Sequence, residues 1–300
     1  MPSSRRLVAT LIANPDRPAV SERLVGAAAR ALGEETERAV LARDIAADLF
    51  FEGPDARAAE ARLREALGEE PVDVIVQPAA TRRKRLFLAD MDSTMIGQEC
   101  VDELADYVGL KAEVSAITER AMRGEIAFEP ALRERVALLA DLPVGVVDEI
   151  VASRISLTPG GRALVRTMRA NGAYTCLVSG GFTLFTGPIG ATLGFDEHRS
   201  NRLVTEGGRL AGRVAEPILG REAKRAALID LRTRLGLQPH ETMAVGDGAN
   251  DLAMLAEAGL GVAFRAKPAV AAAAHARIEH ADLTALLYCQ GYRDEDIARA

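Results

Sequence analysis

The 300-residue chain reads as an α/β protein, a doubly wound parallel sheet carrying an inserted helical cap and preceded by a small α+β unit. Three observations predict this. After Arg85, short apolar runs alternate with helical patterns, the rhythm of parallel βαβ units. Between the first two of those runs lies a helix-rich stretch from about Gln98 to Arg154, too long for an ordinary βα connection. Before Arg85 the order is βαββαβ, which folds as an antiparallel sheet with two helices on one face.

The elements follow in order. Leu7 to Ala13 is continuously apolar and ends at Asn14-Pro15-Asp16, giving a strand at 6–13. Arg5-Arg6 ahead of it suggests a signal peptide, but the apolar run is too short and the turn follows at once. Helix 18–31, strands 36–43 and 46–52, helix 55–67 and strand 72–77 complete the first unit. Pro78 to Lys84 reads as a linker, and Arg82-Arg83-Lys84-Arg85 as its solvated charge run. Then come strand 85–89, the cap, helix 161–171, strand 173–178, helix 220–235, strand 242–246, helix 249–258 and strand 260–264. From Arg199 to Val214, two alternating runs flank Gly207-Gly208 and predict a β-hairpin. In the cap, Phe128, Leu132, Arg135 and Leu139 fall on one helix face, placing a guanidinium inside an apolar stripe.

Composition narrows the function. A formal net charge of −6 with no offsetting basic stripe argues against nucleic acid as a partner. No run approaches the roughly 18 apolar residues of a membrane span. Cys100, Cys176 and Cys289 are odd in number and widely spaced, so neither a disulfide framework nor a zinc site is indicated, and a reducing cytoplasm fits.

Chemistry concentrates at the ends of three strands. Asp90-Met91-Asp92-Ser93-Thr94 follows the first, and extended backbone there points both carboxylates the same way. Such a pair can divide labour between nucleophile or metal ligand and proton carrier, although Asp92, Ser93 and Thr94 also suit a helix cap. Ser179-Gly180-Gly181 ends the second run and Gly246-Asp247-Gly248-Ala249-Asn250-Asp251 the third. In open parallel sheets such ends converge on one crevice. Lys224, one of four lysines with Lys84, Lys111 and Lys267, precedes the third strand.

In that order, Asp90-x-Asp92-Ser93-Thr94, Ser179-Gly180-Gly181, Lys224 and Gly246-Asp247-Gly248-x-Asn250-Asp251 resemble the four motifs of the haloacid dehalogenase (HAD) superfamily of aspartate-nucleophile phosphatases. The likeness runs from about Arg85 to about Tyr288, without departure at any motif position, and is strongest to the branch acting on phosphoserine. It implies a HAD-like fold over 81–300 with its cap at about 98–155, and hydrolysis of O-phospho-L-serine to L-serine and phosphate, the last step of L-serine biosynthesis. It implies that Asp90 attacks phosphorus and that Asp92 serves as general acid and then base, with Lys224 and Ser179 completing the catalytic set. Gly180, Gly181 and Asn250 would hold the substrate. Mg²⁺ would sit on Asp90, the backbone carbonyl of Asp92 and Asp247, with Asp251 behind them. Glu99 and Arg135 match positions that meet the amino and carboxylate groups of phosphoserine, and Met122 and Phe128 match positions that close the pocket. Residues 1–80 lie outside this likeness; their order resembles the ACT-like regulatory domains, which implies a homodimer and an L-serine effector, with a docking module as the alternative.

Competing readings remain. The same machinery passes phosphoryl to an alcohol such as homoserine, or acts on another small phosphomonoester. A metal-dependent glycosyltransferase built on Asp90 and Asp92 leaves Lys224 and the Gly246–Asp251 loop unexplained, and an amino-acid sensor accounts only for the N-terminal part.

Overall fold

The computed structural model describes residues 5–33, 35–122 and 125–298. Its first sheet comprises β1 (Arg5–Ala13), β2 (Glu37–Ala42), β3 (Ala46–Gly53) and β4 (Val72–Pro78), with helices α1 (Glu22–Leu32) and α2 (Ala56–Leu67). The strand order is β2-β3-β1-β4, antiparallel throughout. Strand alternation sorts the side chains: Leu7, Ala9, Leu11 and Ala13 pack with Leu24, Ala28, Leu63 and Leu67 of the helices, whereas Ile12 faces the opposite way. Helix α1 starts at Glu22 instead of residue 18, because the Ser21 hydroxyl caps it by accepting from the Leu24 amide at 3.3 Å.

The helix-free face of this sheet is buried too. Ile12, Leu41, Ala42 and Ile75 share a core with Leu286, Tyr288 and Tyr292. Asp73 accepts from the backbone amides of Glu279, His280 and Ala281, and the Gln77 amide donates to Cys289 O at 2.8 Å. The charge run 82–85 is therefore solvated only in part: Arg83 and Arg85 are exposed, but Arg82 and Lys84 are drawn into the seam. Arg82 reaches the buried Asp48 at 2.6 Å, Arg83 stacks over Tyr292, and buried Lys84 donates to Thr81 O and His240 O at 2.8 Å each. A buried Asp48 needs a cation, and the adjoining tract supplies it.

From residue 86 the chain forms β5 (Leu86–Ala89), cap helices α3 (Cys100–Tyr107), α4 (Lys111–Met122), α5 (Phe128–Ala137) and α6 (Gly145–Ser153), then α7 (Gly161–Ala170), β6 (Tyr174–Phe182), α8 (Thr183–Leu193) and β7 (Glu197–Asn201). A hairpin, β8 (Leu203–Glu206) and β9 (Arg209–Val214), leads to α9 (Arg221–Arg234), β10 (Thr242–Gly246), α10 (Leu252–Glu257), β11 (Leu260–Phe264), α11 (Pro268–Ala273), β12 (Ala276–Ile278) and α12 (Ala285–Tyr288). Six parallel strands lie in the order β12-β11-β10-β5-β6-β7. Central β5 is wholly buried, as a strand covered on both faces requires. The hairpin is shorter than the 199–214 expected, because residues 197–201 join the main sheet as its edge strand. Among the described residues, no helix is long and apolar enough to cross a membrane, and the three cysteines are buried and free.

Candidate active site

In the sheet, Ala89 pairs with Leu177 on one side and Val245 on the other, so the segments after β5, along β6 and after β10 meet at one level. Asp90 is fixed there by its amide, which donates to Val245 O at 3.0 Å. Asp90 (ψ 156°) and Asp92 (ψ 137°) are both extended, and the left-handed Ser93 (φ 54°) then turns the chain away.

Lys224, from α9, lies below the crevice with its ammonium 2.6 Å from Asp90 Oδ1 and 2.7 Å from Asp251 Oδ1. All three are buried. Burial opposes the Lys224 charge, but the two carboxylates outweigh it and hold the ammonium above the ordinary lysine value. Burial pushes Asp90 up while Lys224 pulls it back. Gly246 makes the packing of Asp251 feasible: a Cβ there would lie 2.4 Å from the Asp251 carboxyl carbon. The second Asp251 oxygen accepts from the Gly248 amide at 3.0 Å.

Asp247 accepts from the Thr94 hydroxyl at 3.2 Å, and oxygens of Asp90, Asp247 and Asp251 lie within 4.8 Å of one another. Three carboxylates facing a single ammonium leave excess negative charge on hard oxygen donors, which fits a divalent cation.

Asp92 opens onto the crevice, and its Oδ1 accepts from the Cys100 amide at 3.4 Å. Burial, reinforced by the negative charge of Glu99, pushes its carboxyl up to about 7. Glu99 itself is raised by burial and accepts from the Ser93 hydroxyl at 2.7 Å. Ser179, nearly inaccessible to solvent, accepts from the Gly181 amide at 2.9 Å. A side chain at Gly181 would close to 3.4 Å of Asp92 Oδ2.

A cavity of about 690 Å³ gathers these groups. Asp90, Asp92, Glu99, Phe128, Arg135, Ser179, Gly180, Gly181, Asp247 and Asn250 line it, whereas Lys224 and Asp251 sit beneath its floor. The expected stripe divides: Leu132 on α5 and Leu139 just past its end enter the core, while Phe128, 43% exposed, lines the cavity together with Leu132 and Arg135. The side chain of Met122 lies outside the described residues. Lys267, Asp102 and Thr118 also line the wall; apart from the scarcity of lysine for Lys267, no motif marks them.

A family model described as haloacid dehalogenase-like hydrolase matches residues 87–256. The chain is 48% identical over 208 residues to a phosphoserine phosphatase of Polaromonas sp., a match covering 68% of this chain and 88% of that one. Over 95% of this chain and 98% of the other, it superposes with a TM-score of 0.83 and 28% identity on a HAD family hydrolase of Salmonella enterica serovar Typhi. A solved phosphoserine phosphatase described as a phospho-aspartyl intermediate analogue shares 39% identity and a TM-score of 0.63, over 69% of this chain and 98% of that one.

Proposed function

The chain belongs to the haloacid dehalogenase-like hydrolases, and from that membership and the geometry of its crevice we propose that it hydrolyses O-phospho-L-serine to L-serine and inorganic phosphate. The observation that carries the substrate assignment is the pairing of Glu99 and Arg135 on the wall of the cavity that holds Asp90. A small zwitterion needs one anion for its ammonium and one bidentate cation for its carboxylate.

Phosphate monoesters resist hydrolysis so strongly that the site must lower the barrier by roughly 20 kcal/mol or more. Dividing the reaction in two is the solution that these residues offer. The Asp90 carboxylate attacks phosphorus while the bond from phosphorus to the serine oxygen breaks, and protonated Asp92 gives its proton to that departing oxygen. The resulting Asp92 carboxylate then takes a proton from water, whose oxygen attacks phosphorus and releases Asp90 and phosphate. A group held near pH 7 is suited to both halves. Lys224 steadies the nucleophile, and the Ser179 hydroxyl, oriented by the Gly181 amide, would meet the phosphoryl oxygens together with the Gly180 backbone. Mg²⁺, held by Asp90, the carbonyl of Asp92 and Asp247 with Asp251 in support, would neutralise repulsion between nucleophile and phosphate.

Phosphate release from a panel of phosphomonoesters, with Mg²⁺ or EDTA, tests the reading. Marked preference for L-phosphoserine is expected; equal rates across the panel would overturn the assignment. Added homoserine that diverts phosphate into a new ester would instead favour phosphoryl transfer. To the N-terminal unit, which contributes no residue to the cavity, we assign dimerisation and response to L-serine, supported by the uncovered edge of β2. Serine inhibition that stays purely competitive after removal of residues 1–80 would contradict the effector role. We place the protein in a reducing cytoplasm, where its three buried thiols stay free.

A further inference from the structure

Strand β6 does not run evenly against β7. Cys176, Leu177 and Val178 pair with Glu197, His198 and Arg199, but the next pair is Phe182 with Asn201. The extra length on β6 is the segment Ser179-Gly180-Gly181, which therefore bulges out of the ladder toward the cavity. Bulges re-aim backbone groups beside active sites and leave some without ladder partners. The Gly180 carbonyl is such a group, and the Asn201 side chain takes it: Nδ2 donates to Gly180 O at 2.9 Å.

The same carboxamide engages a second loop. Asn201 Nδ2 also donates to Leu219 O at 3.2 Å, and Oδ1 accepts from the Leu219 amide at 2.7 Å. Only 1% exposed, Asn201 thus spends its hydrogen-bonding capacity on two backbone segments. Leu219 stands just before α9, which carries Lys224. Gly220 lies against the cap, since a Cβ there would sit 3.6 Å from the Phe128 ring. Between Gly180 and this loop remains a cavity of about 240 Å³, bordered by Leu219, Ala223 and Lys224. Farther along, α9 packs on β6 through the core that Cys176 and Val178 share with Ala227 and Leu228, but at the Leu219 end, beside the gap, the Asn201 carboxamide ties the two backbones together directly.

We propose that Asn201 is a positioning residue for phosphoryl transfer, holding the Ser179–Gly181 bulge and the Lys224 helix at the one separation that lets both converge on the phosphoryl group. The inference rests on the phosphatase reading above. Asn201→Asp keeps the size and the acceptor for Leu219 but loses both donations and opposes a carboxylate to two carbonyls; Asn201→Ala removes all three bonds. In either variant, kcat on O-phospho-L-serine and on p-nitrophenyl phosphate should fall together by roughly 10- to 100-fold. Inhibition by inorganic phosphate should weaken by a larger factor than Mg²⁺ half-activation shifts, because Asn201 is bonded to Gly180 and Leu219 and reaches the carboxylates only through Lys224.

A folded variant with wild-type kcat and wild-type phosphate inhibition would overturn the proposal. Should neither variant fold, amide hydrogen exchange in the wild-type protein decides. Mg²⁺ with inorganic phosphate is expected to protect Leu219 together with Gly180 and Gly181, and protection confined to the glycines would refute the coupling. Wild-type inactivity toward phosphoserine would fault the substrate assignment alone, because the aryl phosphate still reads the effect of Asn201.

Discussion

Lys224 stands between two buried carboxylates, and its replacement separates charge compensation from chemistry. Lys224→Met leaves Asp90 and Asp251 facing each other without a cation and should lower stability by about 3–5 kcal/mol, the usual consequence of orphaning a buried charge. Asp90→Asn removes one of the two anions and keeps the shape, so it should abolish turnover with little change in Tm. Substantial activity in folded Asp90→Asn protein would exclude Asp90 as nucleophile. Arg135→Ala should impair phosphoserine turnover by about 2–5 kcal/mol while largely sparing an aryl phosphate, which has no carboxylate to seat. Equal losses on both substrates would make Arg135 structural. EDTA should silence the enzyme and Mg²⁺ revive it, with Ca²⁺ ineffective because that ion tolerates looser, higher coordination; full activity in Ca²⁺ alone would count against the site as drawn.

The cap and the sheet differ in how plainly the sequence announces them. Strands β5, β6 and β10 were readable because each is an apolar run ending in Asp or Gly, and their adjacency brings the motifs together. Strand β7 is harder to read, since its second half falls within the hairpin expected at 199–214. Glu197-His198-Arg199-Ser200-Asn201 is an edge strand with only Asn201 buried, so it has no apolar face to betray it, and its one structural side chain looks like any surface asparagine. Helix α8 was hidden by Gly187, Pro188 and Gly190, residues that ordinarily argue against a helix. Scarcity of lysine singles out Lys224, which lies between two buried carboxylates, but it applies equally to Lys84, buried at a seam, and to Lys267, on the cavity wall. Only tertiary placement separates these uses. Phe128 tests the cap itself: its exposed ring stabilises the free protein little, so Phe128→Ala should raise KM several-fold while Tm barely changes. A large Tm loss without a KM effect would place Phe128 in the core instead.

Across the molecule, the seam between the two sheets carries a pH signature. Burial pulls Lys84 from 10.5 down to about 8. Below pH 8 both folded and unfolded chains hold the proton, and the folded chain bears the full penalty of burying it. Between 8 and 10.5 the folded chain releases its proton first, so stability from this group rises with pH through that window and is lost again as pH falls through 8. Relative to Lys84→Met, the wild-type protein should gain up to about 3 kcal/mol between pH 7 and 10.5 in denaturant titrations; a pH-independent difference would mean that Lys84 is not buried as a cation. A chain beginning at Thr81 keeps every proposed catalytic residue but bares Leu286, Tyr288 and the amides that Asp73 satisfies. It should retain turnover per folded molecule and lose Tm, and an unchanged Tm would show that the seam is not a core. The same seam constrains biosynthesis. Residues 5–78 leave the ribosome some 200 residues ahead of the 279–289 segment on which their second sheet face docks, a delay of roughly 10–40 s at ordinary translation speeds. Throughout that interval the face bearing Ile12, Asp48, Asp73 and Ile75 stands uncovered on the nascent chain, a natural client surface for a ribosome-associated chaperone.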